Sequence, residues 1–243
     1  MFRSVGVSRV GLSAPKLVEY GLPPALHAVR NSHLDIRYLS HPSMFTLSDP
    51  RNWQSEGPAL IGTIDAAIAL GTRCVYGTTG SAGGLSWTAA ADRFAENISA
   101  ARSYAAIYDI SLLIEANNPQ FADLSFVHSL RDALDLATTT DLGVCLDLHA
   151  VWWERDLDAL IQRSSGLIRL VQLSDYVPGT RTLDRDVPGD GIIPLKRLVA
   201  SLLNVGYDGL FDIELYSLRP EGHLEAIQRS AEHVSSLLDG LGA

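Results

Sequence analysis

Residues 168–176 read IRLVQLSDY, and the fold expected for the chain can be worked out from this stretch. Its apolar run is typical of a strand that is buried on both faces, as in parallel sheets covered by helices. The run nevertheless contains Gln172 and ends on Ser174 and Asp175. In parallel α/β folds, polar groups at the C-terminal end of a buried strand are found where ligands bind. The ends of the other strands are therefore the places where further site residues are expected.

Short strand-like runs alternate with longer amphipathic stretches along the whole chain. The other strand-like runs lie at residues 8–14, 34–40, 73–79, 111–117, 142–150 and 209–216. Strict alternation of strands and helices predicts a parallel sheet with right-handed crossovers. An open doubly wound sheet is the alternative, but no glycine-rich phosphate loop follows the first run. No linker rich in Pro, Gly or Ser interrupts the sequence, so we predict one domain over residues 1–243.

The composition excludes several classes of protein. The 243 residues have a formal net charge of −9 and no Lys/Arg cluster, which argues against binding to nucleic acid or anionic membranes. Hydrophobic residues make up 47% of the chain, which is enough for one large core. Cys74 and Cys145 lie in apolar runs and are expected to be reduced core residues. Because we find no secretory signal and no membrane-spanning run, we expect a cytoplasmic protein.

Polar residues gather at the C-terminal ends of the last four strand-like runs. Alternation along each strand directs Glu115, Asp147, His149, Gln172 and Glu214 towards a common central space. This placement favours a (β/α)8 barrel, whose active sites form at that rim. Three carboxylates in a low-dielectric site repel one another, and a divalent cation would relieve the repulsion. Carboxylate and amide oxygens suit Mg²⁺ or Mn²⁺ better than Zn²⁺.

Each of these residues also has a plainer interpretation. A single strand-end carboxylate is often a helix cap or a solvated loop residue, but four polar strand ends in succession are costly to bury without a role. His149 could be a core histidine as well as a ligand or substrate contact. Asp175 could brace its loop. The turn RDVPGDG at residues 185–191 leaves Arg185 free to reach inwards, where a guanidinium can bind a carboxylate or vicinal oxygens.

These motifs resemble the sugar phosphate isomerase/epimerase family, the xylose-isomerase-like TIM barrels. The resemblance rests on four segments, which are the strand end IE at Glu115, LDLH at 146–149, VQLSDY with the later PGDG at 171–191, and DIEL at 212–215. It is weak before residue 70 and good after residue 110. The resemblance implies a TIM barrel and a divalent metal cofactor, for which we expect Mn²⁺ or Mg²⁺.

The same resemblance implies roles for individual residues. Carried over by position, the metal ligands are Glu115, Asp147, Gln172 and Glu214. The two glutamates are also the catalytic pair that moves a proton between adjacent carbons of the substrate. Arg185 falls on the family's substrate-binding arginine.

The sequence departs from the family pattern at two positions. The family histidine in the VQLSD strand is Gln172 here, a weaker and uncharged ligand that argues further against zinc. The family's Asp-x-x-His is Asp147-Leu-His149 in this chain, with Ala150 at the usual histidine position. His149 shares the face of Asp147 only if the strand stays extended. We assign His149 as a substrate contact, although it could also replace the missing histidine ligand.

The expected function is a metal-dependent isomerase or epimerase that acts on a small sugar-like hydroxy-carbonyl compound through an enediolate. One alternative is a lyase that dehydrates a keto-sugar or cyclitol, because the same enediolate can expel a β-hydroxyl group. Another is a sugar-binding barrel without catalysis, which the change at Gln172 would allow. The expected partner is a small sugar or cyclitol, and homo-oligomerisation is left open. An apurinic endonuclease is not expected, because it would need more His and Asp metal ligands than this chain offers, and a basic face.

The sequence shows seven strand-like runs, whereas a closed barrel of this type has eight strands. The stretch RSVGVSRVGL at residues 3–12 resembles the end of a first helix that leads into a second strand. We therefore expect a (β/α)8 TIM barrel that lacks the first strand and most of the first helix. A strand at residues 1–7, bonded to both 8–14 and 209–216, would make this count wrong.

Overall fold

A computed structural model describes residues 2–164, 166–179, 184–216 and 222–243. The chain forms two compact units, an N-terminal unit of residues 8–144 and a C-terminal unit of residues 145–243 together with residues 1–7. Strands and helices alternate within the described residues, which confirms the predicted α/β class. None of the helices in these ranges is both long enough and apolar enough to cross a membrane.

The N-terminal unit contains four complete strands that pair in parallel and in chain order. They are β1 (Arg9–Ser13), β2 (Asp35–His41), β3 (Cys74–Gly77) and β4 (Ser111–Glu115). The helices of this unit are α1 (Ala14–Tyr20), α2 (Leu22–Ser32), α3 (Trp53–Leu70), α4 (Trp87–Ile107) and α5 (Leu130–Thr140). All of β3 and the last four residues of β4 are buried, as expected for parallel strands covered by helices.

Local sequence signals explain where these helices begin and end. The Ser86 side chain accepts a hydrogen bond from the backbone N–H of Ala89 at the start of α4, and Ser129 accepts one from Asp132 at the start of α5. Such caps satisfy N–H groups that have no partner within the helix. Along α4, the residues that pack into the core recur every three to four positions, at Ala90, Phe94, Ile98, Ala101 and Ala105. The stretch LPPALHAVRNS, one of the amphipathic stretches that alternate with the strand-like runs, forms α2.

The C-terminal unit carries the later strand ends. Strand β5 (Gly143–Asp147) enters it at residue 145, and β6 (Ile168–Leu173) pairs in parallel with β7 (Leu210–Ile213). Its helices are α6 (Leu148–Val151), α7 (Leu157–Arg163), α8 (Leu195–Asn204) and α9 (His223–Asp239). The register of β6 and β7 sets Gln172 opposite Asp212, so the two side chains leave the sheet on the same face.

Residues 2–7 do not form a strand. Residues Phe2–Val5 form a short 3-10 helix that packs against α9 within the C-terminal unit. The described residues thus contain seven strands, which confirms the count made from the sequence. The strand predicted at residues 8–14 ends at Ser13, because Pro15 stands in the first turn of α1 and favours a helix start.

One loop of the N-terminal unit depends on a glycine. Gly80 has φ of 104°, and a Cβ there would lie 1.6 Å from the carbonyl oxygen of Phe45. Gly80→Ala must therefore separate two packed loops and strain the backbone. We expect the free energy of unfolding to fall by about 2 kcal/mol or more.

Guanidinium denaturation measures this loss, and Gly84→Ala is the matched control. A Cβ at Gly84 would meet no heavy atom within 4 Å, so its substitution should change stability by less than about 0.5 kcal/mol. Equal losses in the two variants would show that the close approach at Gly80 is unimportant.

Candidate functional site

Asp147 ends β5 and begins the short helix α6. Its side chain is fully buried, and Oδ1 accepts a hydrogen bond of 2.9 Å from the backbone N–H of His149. This cap turns the chain into a helix at Leu148. The predicted strand at residues 142–150 therefore ends three residues early, and the condition that His149 lies in an extended strand is not met. Its position depends on the helical turn instead.

Arg185 lies in a loop whose backbone is held on both sides. Asp186 and Asp175 exchange two backbone hydrogen bonds of 2.9 and 3.0 Å, which extends β6 by an antiparallel bridge. On the other side, the N–H of Tyr216 donates to the carbonyl oxygen of Arg185 over 3.4 Å. The side chain of Arg185 points inwards, as the sequence suggested, and only 8% of it is exposed.

A single guanidinium group bridges two carboxylates. Arg185 donates a hydrogen bond through one terminal nitrogen to Oδ2 of Asp147, and its Nε lies 3.2 Å from Oε2 of Glu214. The exposed fractions of the two acidic side chains are 0% for Asp147 and 14% for Glu214. Both carboxylates are thus within reach of one cationic group in a largely dry environment.

Glu214 is a carboxyl group that can be protonated or ionised near neutral pH. Burial raises its pKa to about 7, while the charge of Arg185 opposes the shift and the charges of Asp147 and Asp212 add to it. The Tyr216 hydroxyl donates to Oε1 of Glu214 over 3.2 Å. A buried carboxyl with such a pKa is suited to taking up and releasing a proton.

Gln172 is fully buried near the end of β6. Its Oε1 accepts a weak hydrogen bond of 3.2 Å from Sγ of Cys145. An amide oxygen has two lone pairs, so this contact leaves Gln172 able to bind a second partner. Gln172 brings no charge to the site, in contrast to Asp212 opposite it in β7.

His149 presents a buried nitrogen to the same region. The residue is 6% exposed, and its Nε2 has no hydrogen-bond partner among the residues that the structure describes. Burial lowers the pKa of His149, although the charge of Asp147 opposes this, so the neutral ring is favoured. A buried nitrogen without a partner costs about 1–3 kcal/mol. This cost favours a role for His149 in binding a ligand over a role as a core residue.

Glu115 belongs to the N-terminal unit, where it is the last residue of β4 and is 6% exposed. The other candidates all lie in the C-terminal unit, and they are Asp147, His149, Gln172, Arg185 and Glu214.

Two contacts in the C-terminal unit were not predicted from the sequence, namely those of Cys145 with Gln172 and of Tyr216 with Glu214. For Tyr216, the sequence indicated only that the residue alternates with Glu214 along the strand. The contacts of its hydroxyl group with Glu214 and of its ring with the guanidinium of Arg185 depend on loop geometry, which the sequence does not reveal.

Several side chains of the C-terminal unit offer atoms that could hold a divalent metal ion. Asp147 and Glu214 supply carboxylate oxygens, Gln172 supplies an amide oxygen, and Nε2 of His149 has no hydrogen-bond partner among the described residues.

Comparison with known proteins identifies related folds. The family model for the xylose isomerase-like TIM barrel matches residues 15–237. No curated protein sequence gives a significant match to the chain.

Three solved structures are similar over most of the chain. Protein SMc04130 from Sinorhizobium meliloti is 26% identical with a TM-score of 0.85, covering 95% of this chain and 90% of its own. The IOLI protein, solved with a zinc atom, is 17% identical with a TM-score of 0.82, covering 99% and 91%. D-psicose 3-epimerase from Clostridium cellulolyticum, solved with D-tagatose, is 13% identical with a TM-score of 0.80, covering 97% and 90%. The last two likenesses show a shared fold.

The loop that carries Arg185 depends on a buried carboxylate, and this dependence can be tested. Oδ1 of Asp175 accepts from the N–H groups of Tyr176 and Ile193 at 2.9 and 3.0 Å, and Oδ2 accepts from Gly189 at 2.8 Å. Asp175→Asn replaces one acceptor with a donor. We therefore expect a loss of about 1–3 kcal/mol in unfolding free energy, measured by guanidinium denaturation.

Asp190→Asn is the matched control in the same loop. Asp190 pairs with Arg229 at the surface, where such pairs contribute about 0–1 kcal/mol. If Asp175→Asn costs no more than Asp190→Asn, Asp175 does not hold the loop.

Proposed function

Because the chain belongs to the family of xylose isomerase-like TIM barrels, we propose that it is a metal-dependent isomerase or epimerase. Its substrate would be a small sugar-like compound with a carbonyl next to a hydroxyl group. The observation that carries the proposal is the bridge formed by Arg185, because Asp147 and Glu214 both contact one cationic group. Two strand-end carboxylates that converge in this way can also bind one metal ion.

The proposed ligands are Glu115, Asp147, Gln172 and Glu214. The first of these comes from β4 and the others from β5, β6 and the end of β7. In the barrels of this family, the C-terminal ends of the strands surround one active site, which is the reason for including Glu115. A bound ion would act as a Lewis acid that polarises the carbonyl and the neighbouring hydroxyl group of the substrate.

The two glutamates are proposed to move the proton. One would remove it from the carbon next to the carbonyl group, and the other would return a proton to the adjacent carbon. A pKa of about 7 allows Glu214 to do either near neutral pH. Glu115 is also buried at its strand end, so the geometry of one carboxyl does not assign the order of the two steps.

Two further residues would hold the substrate. The unpartnered Nε2 of His149 is suited to a substrate hydroxyl group, and the guanidinium of Arg185 can bind vicinal oxygens with two parallel hydrogen bonds. The D-tagatose in the D-psicose 3-epimerase structure is a polyhydroxylated carbonyl compound of the proposed class. Both cysteines are buried and free, which is consistent with the proposed cytoplasmic location.

A sugar-binding barrel without catalysis is the second candidate. Arg185 already offsets part of the charge of Asp147 and Glu214, and Gln172 is a weak ligand, so a metal is not the only cation that can stabilise the buried carboxylates. Metal binding and proton exchange separate this candidate from an enzyme. A lyase on a keto-sugar or cyclitol would share both properties and would differ by loss of water from the product.

The metal model predicts saturable binding of Mn²⁺, measured by isothermal titration calorimetry. Gln172→His should tighten binding by about tenfold, or 1.4 kcal/mol, because an imidazole is a better donor than an amide. Gln172→Leu keeps a similar size and removes the donor, so it should weaken binding. Wild-type protein that shows no saturable binding of Mn²⁺ would disprove the metal model.

The proton-transfer model predicts an effect of Glu214→Gln, which keeps the size and an oxygen donor but removes the base. Deuterium exchange from D₂O into substrate should fall by at least about 100-fold. The measurement screens ketoses, aldoses and inososes with Mn²⁺ by NMR. Glu232→Gln, at an exposed position in α9, is the control and should exchange at the wild-type rate. Near-normal exchange by Glu214→Gln would exclude Glu214 as the base.

A further inference from the structure

We propose that Arg185 is an internal counter-cation that the metal ion must displace, and that the displaced guanidinium then becomes available to the substrate. The inference rests on the proposed function, because it assumes that a metal ion binds at Asp147 and Glu214. It adds that loading of the metal and exposure of the substrate-binding arginine are one coupled event.

The first argument is that Arg185 and the metal need the same oxygens. The terminal nitrogen of Arg185 is hydrogen-bonded to Oδ2 of Asp147, and Nε lies 3.2 Å from Oε2 of Glu214. A guanidinium and a divalent ion in contact with the same two carboxylates would repel each other strongly in this buried environment. Simultaneous occupation is therefore unfavourable, and metal binding requires the guanidinium to withdraw.

The second argument concerns charge. Asp147 and Glu214 both contact Arg185, and the charge of Asp212 also acts on Glu214. When Asp147 and Glu214 are both ionised, one guanidinium offsets one of the two negative charges, whereas a divalent ion offsets both. The remaining negative potential thus favours replacement of Arg185 by a divalent cation, since attraction grows with charge at a given distance.

The third argument is that the side chain can move while the backbone stays. The bridge between Asp175 and Asp186 and the hydrogen bond from Tyr216 fix the chain on both sides of the Arg185 side chain. The ring of Tyr216 lies 4.9 Å from the guanidinium carbon and is 50% exposed. The guanidinium therefore already makes a cation–π contact with this half-exposed ring, and the contact can persist when the guanidinium turns away from the carboxylates.

A fixed structural ion pair is the competing explanation. In that case Arg185 would stabilise the carboxylates permanently, and its removal would leave metal affinity unchanged or weaken it through local disorder. Displacement makes the opposite prediction, because removal of a competitor tightens binding. Metal affinity therefore distinguishes the two explanations without any measurement of activity.

The experiment compares Mn²⁺ binding by calorimetry in wild-type protein and in Arg185→Ala. We expect the dissociation constant to fall by about tenfold, within the 5–150-fold range of typical coupling between sites. Arg185→Lys keeps a positive charge and should lie between the two. Arg197→Ala is the control for loss of one positive charge, because Arg197 pairs with Asp158 at the surface, and it should bind Mn²⁺ as the wild type does.

A second measurement uses wild-type protein and does not depend on the stability of a variant. Phenylglyoxal modifies accessible guanidinium groups, and peptide mass spectrometry reports the rate at Arg185. Saturating Mn²⁺ should raise this rate severalfold, because the displaced side chain becomes accessible. Arg197 in the same samples should react at a rate that does not depend on Mn²⁺.

The outcomes separate the inference from the proposed function. Tighter binding of Mn²⁺ by Arg185→Ala than by the wild type supports displacement. If the wild type binds Mn²⁺ but Arg185→Ala binds no more tightly, and Mn²⁺ does not raise labelling of Arg185, the inference is overturned and the metal-dependent function stands. If neither protein binds Mn²⁺, the proposed function fails and the inference fails with it.

Discussion

Two buried carboxylates, Asp147 and Glu214, impose the constraint on which the rest of the C-terminal unit depends. Ionised groups in a dry environment are costly unless a cation and hydrogen bonds compensate them. Arg185 supplies the cation, and the backbone N–H of His149 and the hydroxyl of Tyr216 supply hydrogen bonds. Burial nevertheless raises the pKa of Glu214 to about 7, against the opposing charge of Arg185. The cost of burial at Glu214 is therefore larger than the stabilisation by this one guanidinium.

The loop after β6 explains how an arginine reaches this position. Asp175 uses both carboxylate oxygens to bind backbone N–H groups at Tyr176, Gly189 and Ile193. Gly191 is required there as well, because a Cβ would lie 2.3 Å from Oδ1 of Asp175. The loop is therefore held by its own buried acid rather than by Arg185, and the arginine side chain is left to serve the site.

Much of the fold could be predicted from the sequence, since alternation of period two and three to four residues is a local property. The same periodicity placed Asp147, Gln172 and Glu214 at strand ends. It failed at His149, because the side chain of Asp147 caps a helix and ends the strand where alternation alone would continue it. The sequence predicted that Arg185 reaches inwards, but it did not predict the bridge to Asp147 and Glu214. This bridge joins positions 38 residues apart through a loop whose geometry leaves no periodic trace.

Gln172 and Arg185 are best understood together. In the proposed metal site, Gln172 stands where the resemblance implies a histidine, and because an amide is a weaker donor than an imidazole, the site would bind a metal less tightly. A guanidinium that competes for the same carboxylates has little effect on the occupancy of the site when the metal binds tightly. When the metal binds weakly, a modest competing free energy is a large fraction of the binding free energy, and the effect on occupancy is large. Under the proposal, the weak amide ligand would make the position of Arg185 sensitive to metal concentration. A metal site with a weak ligand is therefore the kind of site in which the proposed competition by Arg185 would decide occupancy.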